Sequence, residues 1–342
     1  MKSPISDSTQ TTDKKFEVRI LRPEDADGVI SLFRSVHGED YPIKLFYDRD
    51  RLVEANEQGD YRSVIARTTA GKIIGIHNLF RSAPSSDVYE WGVGLVDKGW
   101  RGEGVSSKIQ KFINEKLVPK LDAHTIFGEP VTNHVLMQKA GEDYGFTVTA
   151  LEVGLMPGEA YSGEGVTTSR VSACLFFKLK RVISQKIYLP APYQDILRTI
   201  YEGFSDGREF YESTARIPLE IHTESKMDIF DFAQVARIAL YEIGIDFEQK
   251  IMELESEALK QGCVVIQAWI KLTCPWIAEA VRVLREKGFF FGGILPQWFD
   301  DDGFFMQKIM FEPDFESMRL YSYKTRMIWD YVRADFLSQR NS

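Results

Sequence analysis

Residues 93–108 read Val-Gly-Leu-Val-Asp-Lys-Gly-Trp-Arg-Gly-Glu-Gly-Val-Ser-Ser-Lys, an apolar strand that passes through spaced glycines into an amphipathic helix. This order suits the capture of an anion. Gly102 and Gly104 carry no Cβ, so the backbone there can turn sharply and gather N–H groups around one point. Val105, Ile109, Phe112 and Ile113 recur with a helical period, which places a helix N-terminus just after the turn, where unpaired amides and the helix dipole both favour phosphate. Arg101 adds a fixed positive charge.

Two common phosphate loops do not fit. A dinucleotide fingerprint needs Gly-x-Gly-x-x-Gly within a βαβ unit and an acidic residue about 20 positions on; a nucleoside-triphosphate loop needs Gly-Lys-Ser/Thr after its glycines. Neither occurs. The run Arg101-Gly102-Glu103-Gly104-Val105-Ser106 instead resembles the acyl-CoA loop of the GNAT superfamily of N-acetyltransferases, whose pattern is Gln/Arg-x-x-Gly-x-Gly/Ala. Val96, five residues before Arg101, and the strand-turn-helix order match the family as well. Ser106 departs from the pattern: it is small enough to keep the turn, and its hydroxyl either adds a phosphate contact or crowds the loop slightly.

The resemblance implies that acetyl-CoA, or another acyl-CoA, is held by Arg101 to Ser106 and by main-chain groups of Gly94, Leu95 and Val96 on a strand that splays from its parallel neighbour. It also implies acetyl transfer to an amine. An ammonium with a pKa of about 10 must lose a proton before it can attack, and Glu90 is the candidate base. By period-two counting it shares a strand face with Gly92, Gly94 and Val96, unless a bulge at the glycines breaks the count. The alternative for Glu90 is a solvated or salt-bridged strand glutamate. Main-chain N–H groups near Gly94 to Val96 would meet the developing oxyanion. The family's usual acid tyrosine falls at Gly141 here; Tyr144, three positions later on the same helix, is either a substitute or a packing residue. A CoA thiol, with a pKa near the 8.5 of cysteine, can take its proton from water. Asn133 sits where family members contact the pantetheine arm, or else caps a helix. His77 and His134 are minor alternatives as bases, with structural roles expected.

The elements that must position these groups follow the same family order. Phe16–Leu21 reads as a strand, and Arg22-Pro23-Glu24-Asp25 opens a helix carrying Val29, Leu32 and Phe33. A second helix follows near 47–58, and 62–67 with 72–80 forms a hairpin. The loop at 37–45 is where the family shapes its acceptor pocket. Strand 88–96 leads into the loop, and then come strand 124–131, a helix ending at Tyr144-Gly145-Phe146 with Gly145 as its C-cap, strand 147–156, a Gly/Ser/Thr/Glu-rich loop at 157–169 and strand 171–179. The second half repeats this grammar as strand 227–240, helix 246–261, strand 263–272, helix 275–287 and further strands after Gly288-Phe289. Its connection, Tyr241-Glu242-Ile243-Gly244-Ile245-Asp246, has one glycine, no arginine and two acids where phosphates would sit. The expected fold class is therefore α/β (α+β), with two GNAT-like domains, each a mixed, centrally splayed sheet flanked by helices. The expected limits are a flexible tail at 1–15, a catalytic domain at 16–180 and a degenerate domain at 181–342.

Composition restricts the partners. At 342 residues, 44% hydrophobic and 27% charged, the chain suits two globular domains. No apolar run approaches the ~20 residues of a membrane helix, the N-terminus lacks a secretory apolar core, and a cytoplasmic protein is expected. Three cysteines, Cys174, Cys263 and Cys274, and five histidines show no metal spacing, so no metal is expected. The net charge of -8 argues against nucleic acid and mildly favours cationic substrates. The Asp300–Asp302 run reads as a solvated hairpin turn. The expected activity is acetyl transfer to an amine on a small molecule. The alternatives are a non-catalytic acyl-CoA-binding or regulatory protein, and a GNAT-fold acyltransferase or decarboxylase of a biosynthetic pathway. Oligomeric state and acceptor identity are not legible.

Overall fold

The computed structural model describes residues 15–159, 170–204 and 206–340. The N-terminal tail and most of the 157–169 loop lie outside the described residues. The chain divides into two compact units, residues 1–80 with 92–121, and residues 81–91 with 122–342. This division does not follow the expected cut near residue 180, because the sheet that contains strands 147–156 and 171–179 continues into the second half of the chain.

The first unit begins with β1 (Phe16–Ile20), α1 (Ala26–His37), α2 (Arg49–Gln58), β2 (Tyr61–Thr68) and β3 (Ile73–Phe80). It ends with the later part of β4 (Val88–Val96) and with α3 (Val105–Phe112). β1 pairs antiparallel with β2, and β2 with β3, the hairpin being turned by Gly71 at φ 91°. Val29, Leu32 and Phe33 of α1 are buried as their spacing requires, and join Phe46, Leu52, Ile65, Ile76 and Leu95 in one core. Gly75 of β3 lets the phosphate-side helix close in: a Cβ there would lie 2.7 Å from Val105 Cγ1. After Phe112 the helix passes into a π turn at Ile113–Leu117.

The second unit contains the start of β4, β5 (Thr125–Gly128), α4 (Leu136–Asp143), β6 (Thr147–Met156), β7 (Val171–Leu179), β8 (Gln185–Leu189), α5 (Gln194–Tyr201) and β9 (Arg208–Glu212). It continues with β10 (Glu224–Phe230), β11 (Val235–Glu242), α6 (Phe247–Lys260), β12 (Val265–Lys271), α7 (Ile277–Glu286), β13 (Phe290–Leu295), β14 (Gly303–Ile309) and α8 (Tyr323–Arg340). The strand expected over 227–240 is two strands: the turn at 231–234, with Gln234 at φ 54°, makes β10 and β11 a hairpin.

The sheet of this unit runs β4-β5-β7-β6-β13-β14-β12-β11-β10. Read outward from its centre, each side presents the same sequence of elements: β6, β7, β5 and β4 on one side, β13, β14, β12 and β11 on the other. Registers repeat too. Val88 pairs with Thr125 as Val235 pairs with Val265, both in parallel ladders. A bulge lies between Val148 and Ala150 on β6 and between Phe291 and Gly293 on β13. Ala150 and Gly293, which follow these bulges, pair with each other at the centre. Gly293 is required there: at φ 140° its Cβ would lie 2.3 Å from Thr149 O. The halves differ at the parallel ladder, which is three residues long between β4 and β5 and six between β11 and β12. The splay expected of both halves thus has no counterpart in the second. β11 reads VARIAL without a glycine, whereas β4 carries Gly92 and Gly94 with Val93 at φ 50° between them.

Candidate functional site

The glycine loop belongs to the first unit. Asp97 ends β4 and fixes the turn by accepting from Gly99 N at 2.9 Å and Lys72 Nζ at 2.7 Å; the Lys72 hydrogen bond, foremost, holds its carboxyl below the usual carboxylate range. Gly102 and Gly104 adopt φ 83° and 73°, the left-handed region that glycine enters at no steric cost. A Cβ at either would meet nothing within 4 Å. The glycines are therefore needed for backbone conformation, and the space before them is open. Gly104 is the N-cap of α3 and supplies no side-chain acceptor, so the first-turn amides have no side-chain cap and an anion can take that place.

The charges around this turn are mainly positive. Arg101 and Lys98 are exposed, and both act on His37 at the end of α1, whose imidazole is lowered first by burial, then by Lys98 and Arg101. Glu103 is an exposed acid in the same loop. Val105 is buried in the helix–sheet contact, leaving only its main chain for a ligand. The departure at Ser106 has an interior cause. Gln110 Nε2 donates to Ser106 Oγ at 3.1 Å, and the hydroxyl meets His77 Nε2 at 3.0 Å. It neither crowds the loop nor is free for a phosphate contact. The glycine turn, the uncapped helix and the positive charges fit the diphosphate of an acyl-CoA.

On β4, Gly94 is exposed, Leu95 is buried in the core and Val96 is half-buried. Val93 at φ 50° breaks the alternation, so counting by twos from Glu90 to Gly94 and Val96 does not hold. Gly94 lies on His77, whose ring a Cβ would approach to 2.3 Å. Asn78, the next residue on β3, donates to Val93 O at 2.9 Å and holds the distorted stretch. His77 is 6% exposed, and burial lowers its imidazole to about 4. It is a structural histidine rather than a base.

Glu90 belongs to the second unit, where it enters a group of charges invisible in sequence. Ser82 Oγ donates to Glu90 Oε2 at 2.7 Å. Arg237 of β11 donates to Glu129 Oε1 at 3.1 Å, to Glu152 Oε1 at 3.2 Å and, through Nε, to Gln267 Oε1 at 3.1 Å. Gln267 Nε2 donates to Glu152 Oε1 at 2.7 Å. Glu152 is 2% exposed, and its Oε2 has no hydrogen-bond partner. Glu90 retains some solvent-accessible surface, but low-dielectric surroundings first, and the charge of Glu129 second, push its carboxyl up to about 8. Burial and Glu129 shift Glu152 in the same direction, and Arg237 opposes both. A carboxyl with a raised proton affinity is suited to accepting a proton near neutral pH.

Sequence reasoning missed Glu129, Glu152, Arg237 and Gln267. The available signal was polar residues in otherwise apolar strands, Glu152 in β6, Arg237 in β11 and Gln267 in β12, because a charge at an inward strand position must find a partner. Tyr144 is the C-cap of α4, with its ring stacked on Trp91 at 5.8 Å. Gly141 packs against Phe176, which a Cβ would approach to 3.2 Å. Asn133 does not cap α4, which starts three residues later with Val135 as N-cap. The acidic run lies in the β13–β14 hairpin connection as expected, but Asp302 is not solvated: it is fully buried, accepts from Tyr201 Oη at 2.7 Å and pairs with Arg208 at 2.5 Å. Among the described residues no His, Cys, Asp and Glu group is placed to hold a metal, and no helix is long and apolar enough to cross a membrane.

No family model and no curated protein matches the sequence. Solved structures do. The chain is similar to GNAT N-acetyltransferases. A spermidine/spermine N-acetyltransferase of Vibrio cholerae matches at 14% identity, covering 48% of this chain and 95% of its own, with a TM-score of 0.36. An N-acetyltransferase of Staphylococcus aureus matches at 12% identity over 49% and 99%, with a TM-score of 0.38. The ribosomal-protein-S5-alanine acetyltransferase of Vibrio fischeri matches at 15% identity over 48% and 92%, also at 0.38.

Proposed function

We propose that the chain is an acyl-CoA-dependent N-acetyltransferase acting on an amine of a small molecule. The observation that carries this reading is the turn at Gly102 and Gly104, both left-handed, opening directly into the uncapped N-terminus of α3. Arg101, the amides from Gly102 to Ser106 and the main chain of Gly94 to Val96 hold the acyl-CoA, with Asn133 as a further contact to its arm. Bound there, acyl-CoA supplies an activated acyl group. Glu90 takes the proton from the acceptor ammonium at its carboxylate, and amides near Gly94 to Val96 donate to the oxygen on which negative charge grows. With Gly141 in place of the family tyrosine, the thiol is protonated from water or by Tyr144. The net charge of -8 supports a cationic acceptor over nucleic acid.

Incubation with acetyl-CoA and a panel of amines, following free thiol, tests this reading. Amine-dependent thiol release is expected. CoA binding with no release for any amine would favour the non-catalytic acyl-CoA-binding alternative; release without an amine would favour another acyl acceptor.

A further inference from the structure

His77 touches two places that the proposed function assigns to opposite ends of one ligand. Its imidazole fills the space left by the missing Cβ of Gly94, where the thioester arm is read to lie. Its Nε2 meets the hydroxyl of Ser106 at 3.0 Å, in the first turn of α3, where the diphosphate is read to lie. The hydroxyl is committed inward, because Gln110 Nε2 donates to the same oxygen at 3.1 Å. His77 is buried, and its neighbour Asn78 donates to Val93 O at 2.9 Å. Two successive residues of β3 thus fix the distorted part of β4, and the first of them also fixes the start of α3.

Resting on the acyl-CoA reading of the loop, we propose that His77, through Ser106, is a positioning residue that sets the spacing between the phosphate-binding turn and the arm-binding segment of β4. A ligand that spans both places gains only if their separation is held in advance, since ordering them on binding costs affinity. A ligand that occupies one of them is indifferent to that separation. Ser106 stands where the family pattern has Gly or Ala, and the inward hydroxyl gives the substitution a reason: it is half of the tie.

Calorimetric titration of the full chain with CoA and with 3′-phosphoadenosine 5′-diphosphate, which carries the diphosphate end without the pantetheine arm, tests the proposal. His77→Ala and Ser106→Ala are each expected to weaken CoA about tenfold, and the double variant no more than the weaker single one, because the pair acts as one interaction. The affinity for 3′-phosphoadenosine 5′-diphosphate is expected to change by less than about twofold. Equal loss for both ligands would mean that His77 only maintains the loop, and unchanged CoA affinity would mean that it does nothing for binding; either overturns the proposal. Should His77→Ala fail to fold, Ser106→Ala, which removes a single hydroxyl, carries the test. Absence of CoA binding by the unaltered chain would reject the underlying reading itself, a result separable from the other two because it precedes any substitution.

Discussion

Glu90 and Arg237 occupy corresponding positions in the two parallel ladders: Glu90 pairs with Phe127 as Arg237 pairs with Gln267, two residues beyond the matching pairs Val88–Thr125 and Val235–Val265. The two residues are also coupled by charge, since Arg237 favours the ionised form of Glu90 against the burial that opposes it. The topological repeat thus brings the candidate base and a counter-charge to equivalent places in one sheet.

The first prediction concerns the pH dependence of turnover. With the Glu90 carboxyl pushed up to about 8, activity should rise as pH increases through that value, because the base works only when ionised. Glu90→Gln is expected to abolish this limb and to lower kcat/KM about 100-fold or more. Arg237→Gln, which removes a charge that lowers the Glu90 pKa, should move the limb to higher pH. A pH–rate profile of the three proteins decides; an unchanged limb in Glu90→Gln assigns the base elsewhere.

The second prediction concerns stability at the two ends of the pH range. Glu152 binds its proton more tightly folded than unfolded, so its contribution is complete below the ordinary glutamate range and fades as pH rises toward its folded value. His77, lowered to about 4, behaves oppositely: its contribution is complete above about 6.5 and is lost as pH falls toward 4. Denaturant melts of Glu152→Gln should show a flatter alkaline side, and those of His77→Asn a flatter acid side. Parallel curves for variant and parent would contradict the assigned shifts.

A third prediction separates stability from chemistry. Asp302 and Arg208 are both buried, and removing one charge leaves the other without compensation. Asp302→Asn is expected to cost about 3 kcal/mol of stability, seen as a lower midpoint in urea, while CoA affinity of the folded protein stays unchanged. A wild-type midpoint would mean that the pair contributes nothing net.

Much of the fold was legible because its apolar spacings are regular. The helix from Val105, the Gly145 and Gly288 helix ends and most of the strands follow from local patterns. The β10–β11 hairpin was not, since Asp231-Phe232-Ala233-Gln234 offers neither the Gly nor the Asn that marks a tight turn, and Gln234 takes the left-handed conformation instead. The Ser106 departure was visible, but its partner His77 lies 29 residues away in sequence. The same limit hid Glu129, Glu152 and Arg237, whose proximity is a product of strand order rather than of spacing. The buried Asp302 misled because an acidic run beside a glycine normally marks a solvated turn.

The account depends most directly on the anion site at Gly102 and Gly104, and titration of CoA into the unaltered chain and into the Gly102→Val, Gly104→Val double variant tests it. A Cβ at either position meets open space, so the cost to folding is that of two left-handed residues, about 1–2 kcal/mol each. The predicted result is a folded variant with CoA affinity reduced at least about 100-fold, the amides being withdrawn and screened by side chains. A folded variant that binds CoA as tightly as the parent would contradict the account at its root.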